Sequence, residues 1–237
     1  MAETMAETMA DQTVAAPAGR SDSTWVLVLA SAANLMVALD ALVVSTALSE
    51  IRRDLGASIE NFYRPLVLAL QTMPMPVVCA VNGVAAGAGA NIALACDLVV
   101  AAKSASFIQA FSKIGLIPDS GGTYFLPRLV GTARAMGLMM LGDKLSAQQA
   151  AEWGLIWRCV DDAELGPTVE TLLAQLAQAP TKGLVATRRA LHASAQGTLP
   201  AQLDLERDLQ RELGYTADYR EGVAAFLAKR PPQFTGR

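Results

Sequence analysis

The hydrophobic pattern of the chain changes near residue 60. Residues 25–48 form an almost continuous apolar run whose only charged residue is Asp40, and a run of this length can span a bilayer as a helix. Residues 1–21 show no apolar periodicity, which predicts a disordered tail. The sequence therefore predicts a tail, then an apolar transmembrane-like helix and junction over residues 22–60, then a different kind of domain.

Beyond this junction, short β-rich runs alternate with helical patterns. Residues 77–81 and 98–101 are apolar runs typical of buried strands, and residues 126–141 show the pattern of a helix. The shorter predicted elements are a helix over residues 90–96 and a segment over residues 107–111. Alternation of this kind predicts an α/β core over residues 61–166.

The pattern becomes helical from residue 167 to residue 237. Pro180, Gly197 and Gly214 interrupt it and separate successive helices. The helical patterns cover residues 168–178, 183–194, 200–214 and 218–230. A C-terminal helical layer is therefore expected to follow the mixed core.

Composition and charge exclude some classes of protein. Hydrophobic residues make up 52% of the chain and charged residues only 17%, which argues against an intrinsically disordered protein. The 19 basic and 22 acidic residues give a net charge of −3. There is no basic surplus to neutralise a phosphate backbone, so no nucleic-acid partner is expected.

The cysteines and the single histidine suggest no metal site. Cys79, Cys96 and Cys159 lie in apolar runs without CxxC spacing, which favours buried, reduced thiols in a cytosolic protein. His192 has no sequence neighbours that would make it a zinc ligand or the base of a catalytic triad. It is expected to be an exposed helix residue.

A glycine-rich loop over residues 82–91 (NGVAAGAGAN) follows a predicted strand and opens a helix. Free N–H groups at such a place can bind an anion or a developing oxyanion. The spacing matches neither a dinucleotide-binding fingerprint nor a P-loop. Tight packing of a helix through small residues explains the same pattern, and the sequence leaves both interpretations open.

A second loop, over residues 115–123, carries Asp119. One role for this residue is that of a turn residue or helix N-cap. The other is chemical, because a carboxylate held among apolar neighbours such as Phe111 and Ile117 is a stronger base. Such a base suits the removal of a proton from carbon next to a thioester.

The segments PMPVVCAVNGVAAGAGANIALACDLVVAAKSASF and IGLIPDSGGTYFLPRLVGTARAMGLMMLGDKLSAQQAAEWGLIWRCVDD together resemble the crotonase (enoyl-CoA hydratase/isomerase) superfamily over residues 61–237. The C-terminal stretch QLDLERDLQRELGYTADYREGVAAFLAKRPPQFTGR resembles the isomerases of phenylacetate degradation within it. The resemblance implies a spiral of ββα units, a C-terminal trimerisation layer in a homo-trimer or hexamer, and an acyl-CoA substrate. No cofactor is implied besides the CoA thioester that reacts.

The resemblance also implies how the site works. A backbone N–H that binds the thioester oxygen matches Ala88, and the two glutamates of the hydratases match Asn91 and Phe111, so hydration is disfavoured. The single carboxylate of the isomerases matches Asp119. The expected reactions are rearrangement of a ring epoxide to an oxepin-CoA and double-bond migration. Substrate contacts are expected at Gly87, Gly89, Asn91, Phe111, Gly121 and Gly122, and contact with a CoA phosphate at Lys229.

Residues 24–59 instead resemble the first transmembrane helix of drug:proton antiporters of the major facilitator superfamily. They occupy the place where crotonases carry their N-terminal strands and a loop that supplies the first oxyanion N–H. The sequence therefore indicates a fusion that lacks those strands. It leaves open an active cytoplasmic isomerase, an impaired chain that only assembles with crotonase-type subunits, and an enzyme tethered to a membrane through residues 25–48.

Overall fold

The computed structural model describes residues 59–237. The predicted tail, the transporter-like helix and the question of missing N-terminal strands concern residues that lie outside this part of the chain. Within residues 59–237, no helix combines the length and the apolar composition that crossing a bilayer requires.

Helices and short strands alternate over the first half of the described residues, and helices follow. The helices are α1 (Ile59–Thr72), α2 (Ala88–Leu94), α3 (Gly122–Val130), α4 (Thr132–Leu141), α5 (Ala147–Glu152), α6 (Leu165–Ala177), α7 (Thr181–Ser194), α8 (Leu199–Leu213) and α9 (Ala217–Leu227). The strands are β1 (Val78–Val81), β2 (Val84–Ala86), β3 (Leu98–Ala102), β4 (Ser106–Ile108), β5 (Lys144–Ser146) and β6 (Arg158–Val160). Two 3₁₀ turns cover Ala110–Ile114 and Asp162–Glu164.

The strands form two small sheets. In the first, β3 lies between β1 and β6 and pairs with both in parallel, with Val78 opposite Leu98. In the second, β4 pairs in parallel with β2 and antiparallel with β5. A parallel pair requires a crossover, and β2 and α2 supply it between β1 and β3. The predicted α/β class is therefore confirmed.

Small and branched apolar side chains fill the core. Val100 of β3 has no exposed surface because β3 is the central strand of its sheet. Ala90 of α2 and Ala150 of α5 are also fully buried, and Leu126 and Leu145 nearly so. Alanines at such positions allow the helices to approach the strands closely.

The helix predicted over residues 126–141 is wrong, because the structure has two helices there. Gly131 lies between α3 and α4 with φ +79°, a left-handed value that an L-residue rarely adopts. Its N–H makes the last helical hydrogen bond of α3, to the carbonyl of Pro127 at 3.0 Å, and its backbone angle then ends the helix. The apolar periodicity continues through Gly131, which is why the sequence pattern alone does not show the break.

Other boundaries differ by less. The helix predicted from residue 90 begins at Ala88. The segment predicted over residues 107–111 is divided between the end of β4 and the 3₁₀ turn that starts at Ala110. The four predicted C-terminal helices are present as α6 to α9. The hydroxyl groups of Thr198 and Thr216 cap α8 and α9 by accepting backbone N–H bonds.

One buried arginine connects the C-terminal layer to the first sheet. Arg188 of α7 donates from Nη1 to Oδ2 of Asp97 at 2.9 Å and to the carbonyl of Met75 at 3.2 Å, and from Nη2 to the carbonyl of Met73. Oδ2 of Asp97 also accepts the N–H of Val77 at 2.7 Å. The guanidinium therefore holds the segment that leads into β1.

We expect Arg188→Ala to lower the free energy of unfolding by about 3–5 kcal/mol, because it leaves a largely buried carboxylate and two carbonyls without their partner. Urea denaturation measures this loss. Arg189→Ala removes an exposed arginine from the same helix and should change stability by less than about 0.5 kcal/mol. Similar losses in the two variants would contradict the anchoring role of Arg188.

The C-terminal segment folds back on α9 through carboxylates. Arg230 binds Glu221 with two hydrogen bonds of 2.6 and 2.8 Å, and the N–H of Gln233 donates to the same carboxylate at 2.8 Å. These bonds, above all those from Arg230, lower the pKa of Glu221 to about 2. Asp218 likewise accepts the N–H of Thr235 at 2.7 Å.

The pKa of Glu221 lies below its ordinary value of 4.5. The ionised Glu221 carboxylate therefore stabilises the fold fully above pH 4.5, and this stabilisation is lost as the pH falls toward 2. We therefore expect Glu221→Gln to lower the thermal unfolding temperature at neutral pH, and the difference from wild type to shrink as the solution is acidified below pH 4.5. Glu212→Gln, an exposed glutamate on α8, is the control. A difference that did not vary with pH would count against this ion pair.

Candidate active site

Gly87 forms the turn from β2 into α2. Its φ of +53° lies in the left-handed region, and its N–H donates to the carbonyl of Ile108 at 2.8 Å. A Cβ atom at this position would lie 3.4 Å from the ring of Phe111. Conformation and close packing therefore both favour glycine here, and the Gly87 N–H is already paired with β4.

The next residue, Ala88, presents a free backbone donor. It begins α2, so its N–H has no acceptor within the helix, and it has no other backbone partner among residues 59–237. Ala88 is half-buried, whereas Gly89 is exposed. A free N–H in a half-buried position can stabilise a negative oxygen, as the sequence predicts for Ala88.

Asp119 lies in the loop between the 3₁₀ turn and α3. Its Oδ1 and the Oγ of Ser120 are buried and have no hydrogen-bond partner among residues 59–237. The N-cap of α3 is Gly121, and no side chain caps this helix, so Asp119 does not have the N-cap role considered from the sequence. Buried polar atoms without a partner are rare in folded proteins. An acidic oxygen in this state is a candidate for binding or chemistry.

Asn91 joins the two loops. It is fully buried, its Nδ2 donates to the carbonyl oxygen of Asp119 at 2.9 Å, and its Oδ1 accepts from Nε2 of Gln109 at 2.7 Å. The amide is thus bound at both ends by protein groups, and its expected contact with the substrate stays a prediction. Because Asn91 and Ala88 share α2, the hydrogen bond from Asn91 brings the loop of Asp119 to the helix that carries the free N–H.

Gln109 is a site residue that the sequence analysis missed. It follows β4 and is 4% exposed, and its Oε1 has no partner among residues 59–237. A glutamine inside the apolar run SFIQAF was the available signal, but nothing in the sequence indicates that its partner is Asn91.

The glycines at the start of α3 are explained by close packing. A Cβ atom at Gly121 would lie 2.6 Å from the ring of Phe125, and one at Gly122 would lie 2.7 Å from Cγ of Asn91. Gly121 also has φ +82°. The predicted substrate contacts of Gly121 and Gly122 stay predictions, while their packing roles are visible.

Phe111 and Ile117, the two apolar residues expected to surround Asp119, differ in exposure. Phe111 is buried, with 8% of its surface exposed, and lies against Gly87. Ile117 is 75% exposed, so it does not provide the apolar surroundings expected of it. The reason is that the loop holds residues 112–117 at the surface.

Lys229 lies just beyond α9 with φ +51° and is exposed. Its neighbour Arg230 is bound to Glu221, which fixes the backbone on that side. The side chain is therefore accessible to an anionic group from another molecule, as its predicted contact with a CoA phosphate requires.

The cysteines and the histidine are not part of these two loops. Cys79, Cys96 and Cys159 are free but only half-buried, which corrects the expectation of full burial. A hydrogen bond between Cys79 and Cys96 lowers the pKa of Cys79 and raises that of Cys96. His192 is exposed on α7, as predicted. Residues 59–237 contain no cluster of three or more ligating side chains that could hold a metal ion.

Similar proteins share both the sequence and the fold. The family model described as Enoyl-CoA hydratase/isomerase matches residues 8–237. A 1,2-epoxyphenylacetyl-CoA isomerase of Escherichia coli K12 is 61% identical over 184 residues, which are 78% of this chain and 70% of that protein. A probable enoyl-CoA hydratase of Rhodobacter capsulatus is 55% identical over 175 residues, 74% of this chain and 68% of that protein.

Among solved structures, that of an enoyl-CoA hydratase from Polaromonas sp. JS666 superposes with a TM-score of 0.74 at 35% identity, covering 80% of this chain and 75% of that one. The fold is therefore crotonase-like. The family match starts at residue 8 and so includes residues 24–59, whose resemblance to a transporter helix finds no support. By sequence and by structure, this chain belongs to the enoyl-CoA hydratase/isomerase family.

Proposed function

We propose that this protein is an acyl-CoA isomerase of phenylacetate degradation, which rearranges an epoxyphenylacetyl-CoA to an oxepin-CoA, moves the double bond of an enoyl-CoA, or does both. The observation that carries this proposal is the buried, unpaired Oδ1 of Asp119, in a loop bound to the helix that carries the free N–H of Ala88. The 61% identity to a 1,2-epoxyphenylacetyl-CoA isomerase supports the same substrate class.

The proposed mechanism transfers one proton. The carboxylate of Asp119 accepts a proton from a carbon atom near the thioester carbonyl, and the electron pair of that C–H bond moves toward the thioester oxygen. The N–H of Ala88 donates a hydrogen bond to the enolate oxygen that results. The carboxyl group of Asp119 then returns the proton to another carbon, so that the substrate is isomerised without gain or loss of atoms.

Hydration is the competing activity, because one of the relatives is a probable enoyl-CoA hydratase. The family's hydratases use two acidic side chains, and the matching positions hold Asn91 and Phe111. The Asn91 amide is bound by protein groups at both ends, and Phe111 has no ionisable group. Neither residue can take a proton from water, which favours isomerisation.

The substrate would bring its own CoA, so no separate cofactor is needed, and the reaction would take place in the cytoplasm. We propose that Lys229 binds a phosphate of the CoA held by a neighbouring subunit. Its exposure at the end of α9, on a backbone held by the ion pair between Glu221 and Arg230, supports this role. An ammonium group attracts phosphate as a point charge.

The first test of the isomerase proposal is Asp119→Asn. The amide has the same size as the carboxylate but cannot accept the proton, so kcat should fall by about 10²-fold to 10⁴-fold, with little change in KM. Conversion of the epoxyphenylacetyl-CoA and of an enoyl-CoA is followed by chromatography. Asp143→Asn, an exposed aspartate before β5, should keep full activity. Undiminished turnover by Asp119→Asn would reject Asp119 as the base.

We also propose that the C-terminal layer joins copies of this chain into a trimer or hexamer. Several large apolar side chains of this layer are exposed, namely Leu199, Leu203, Tyr215, Tyr219, Phe226 and Leu227. A groove of about 450 Å³ runs beside Phe226 between α7 and α9. An exposed apolar surface of this extent is typical of an interface.

We expect Phe226→Asp to lower the mass measured by light scattering toward that of one chain, 24.9 kDa, because a charge would be buried at the interface. Gln196→Asp places the same charge in the exposed turn between α7 and α8 and should leave the assembly intact. A wild-type protein that has the mass of a single chain would refute the proposed assembly.

A further inference from the structure

The amide of Asn91 has a fixed orientation. Nε2 of Gln109 can only donate and the carbonyl oxygen of Asp119 can only accept, and the two lie at 2.7 and 2.9 Å from opposite ends of the Asn91 amide. A rotation of this amide by half a turn would bring donor against donor and acceptor against acceptor. The carbonyl of Asp119 requires that Nδ2 of Asn91 faces it, and the donor of Gln109 stabilises this orientation from the other end.

The backbone at Asp119 is held from two sides. Its carbonyl oxygen accepts Nδ2 of Asn91 and also the N–H of Gly122 at 2.8 Å. The carboxylate itself is less constrained, because its Oδ1 has no partner among residues 59–237. The position of Asp119 is therefore determined by the two hydrogen bonds to its backbone carbonyl.

Gln109 keeps its place in the interior although its Oε1 is buried without a partner among residues 59–237. Such an oxygen destabilises the fold, and an apolar side chain at this position would avoid the loss. The donor group of Gln109 is the part of the side chain that has a partner. A donor to Asn91 that is important for the site would account for a glutamine at this position.

We infer that Gln109 and Asn91 form a positioning relay, in which Gln109 orients Asn91 and Asn91 holds the carbonyl of Asp119 so that the carboxylate faces the substrate. Both are positioning residues, because neither needs to touch the substrate. The inference rests on the proposed role of Asp119 as the base, and it goes further by assigning what places this base relative to α2.

Two isosteric variants test the relay. Asn91→Asp keeps the acceptor for Gln109 but replaces the donor that faces the carbonyl of Asp119. Gln109→Glu replaces the donor that orients Asn91. Gln196→Glu makes the same change as Gln109→Glu at an exposed site and is the control. Circular dichroism and thermal unfolding establish that each variant is folded.

In both relay variants we expect kcat to fall by about 10-fold to 100-fold, because a small displacement of the base is enough to cause such a loss. KM should change much less, since the substrate is bound by other groups. Gln196→Glu should match wild type. The double variant should lose less than the product of the two single losses, because both changes break one relay.

The pH dependence separates this role from a general loss of structure. In Asn91→Asp the new carboxyl group can donate an O–H to the carbonyl of Asp119 when it is protonated, but repels it when ionised. The Asn91 side chain lies against Asp119, Gln109 and Gly122. Among these three residues only Asp119 has an ionisable side chain. The ratio of variant to wild-type kcat should therefore rise as the pH is lowered.

A second measurement does not depend on activity. The N–H of Gly122 shares its acceptor with Asn91, so its hydrogen exchange, followed by NMR, should be about tenfold faster in Asn91→Asp, as expected for the loss of one hydrogen bond of ordinary strength. If the wild-type protein lacks isomerase activity but Gly122 exchanges faster in Asn91→Asp, the proposed function is rejected. The hold of Asn91 on the loop of Asp119 is then still supported. Unchanged exchange, or an unchanged kcat in folded Asn91→Asp of an active enzyme, would overturn the relay.

Discussion

The hydrogen bond from Asn91 to the backbone of Asp119 is the contact on which the candidate site depends. It joins a helix that begins with a free N–H to a loop that carries an unpaired acid. These two elements are connected through β3 and β4 in sequence, and no other side-chain hydrogen bond in the described residues links them. Asn91 is fully buried, so the loss of the Asp119 acceptor would leave its Nδ2 without a partner at a cost to stability.

The rest of the fold serves to bring these elements to the same place. The crossover between the parallel strands β1 and β3 contains α2. Buried alanines such as Ala90 allow α2 to lie close to the core. The loop of Asp119 is locally strained at Ser120, a non-glycine residue with a left-handed φ of +50°. Strain of this kind persists where the surroundings determine the conformation, and here the contact of Gly122 with Asn91 does so.

How much of the fold and of the candidate site the sequence predicts depends on whether a feature is determined by neighbouring residues or by residues far apart in the chain. The strands at residues 77–81 and 98–101 and the C-terminal helices follow from local apolar patterns, and the sequence predicts them. The break at Gly131 depends on a single backbone angle and does not alter the periodicity. Asp119 stands out as an acid in a loop, whereas the role of Gln109 depends on a partner 18 residues away. The parts assigned to Ala88 and Lys229 came from resemblance to the family, because local pattern alone cannot specify them.

An amide at position 91 is consistent with isomerisation by a single acid. A second carboxylate there would oppose the ionised form of Asp119 by repulsion, and it would offer a site at which water could be deprotonated. The neutral amide holds the loop without either effect. Phe111, whose ring lies against Gly87 at the turn into α2, likewise adds no ionisable group to the site. For the proposed reaction, in which Asp119 takes a proton and returns it to the substrate, an amide at position 91 therefore avoids a second acidic group beside the base.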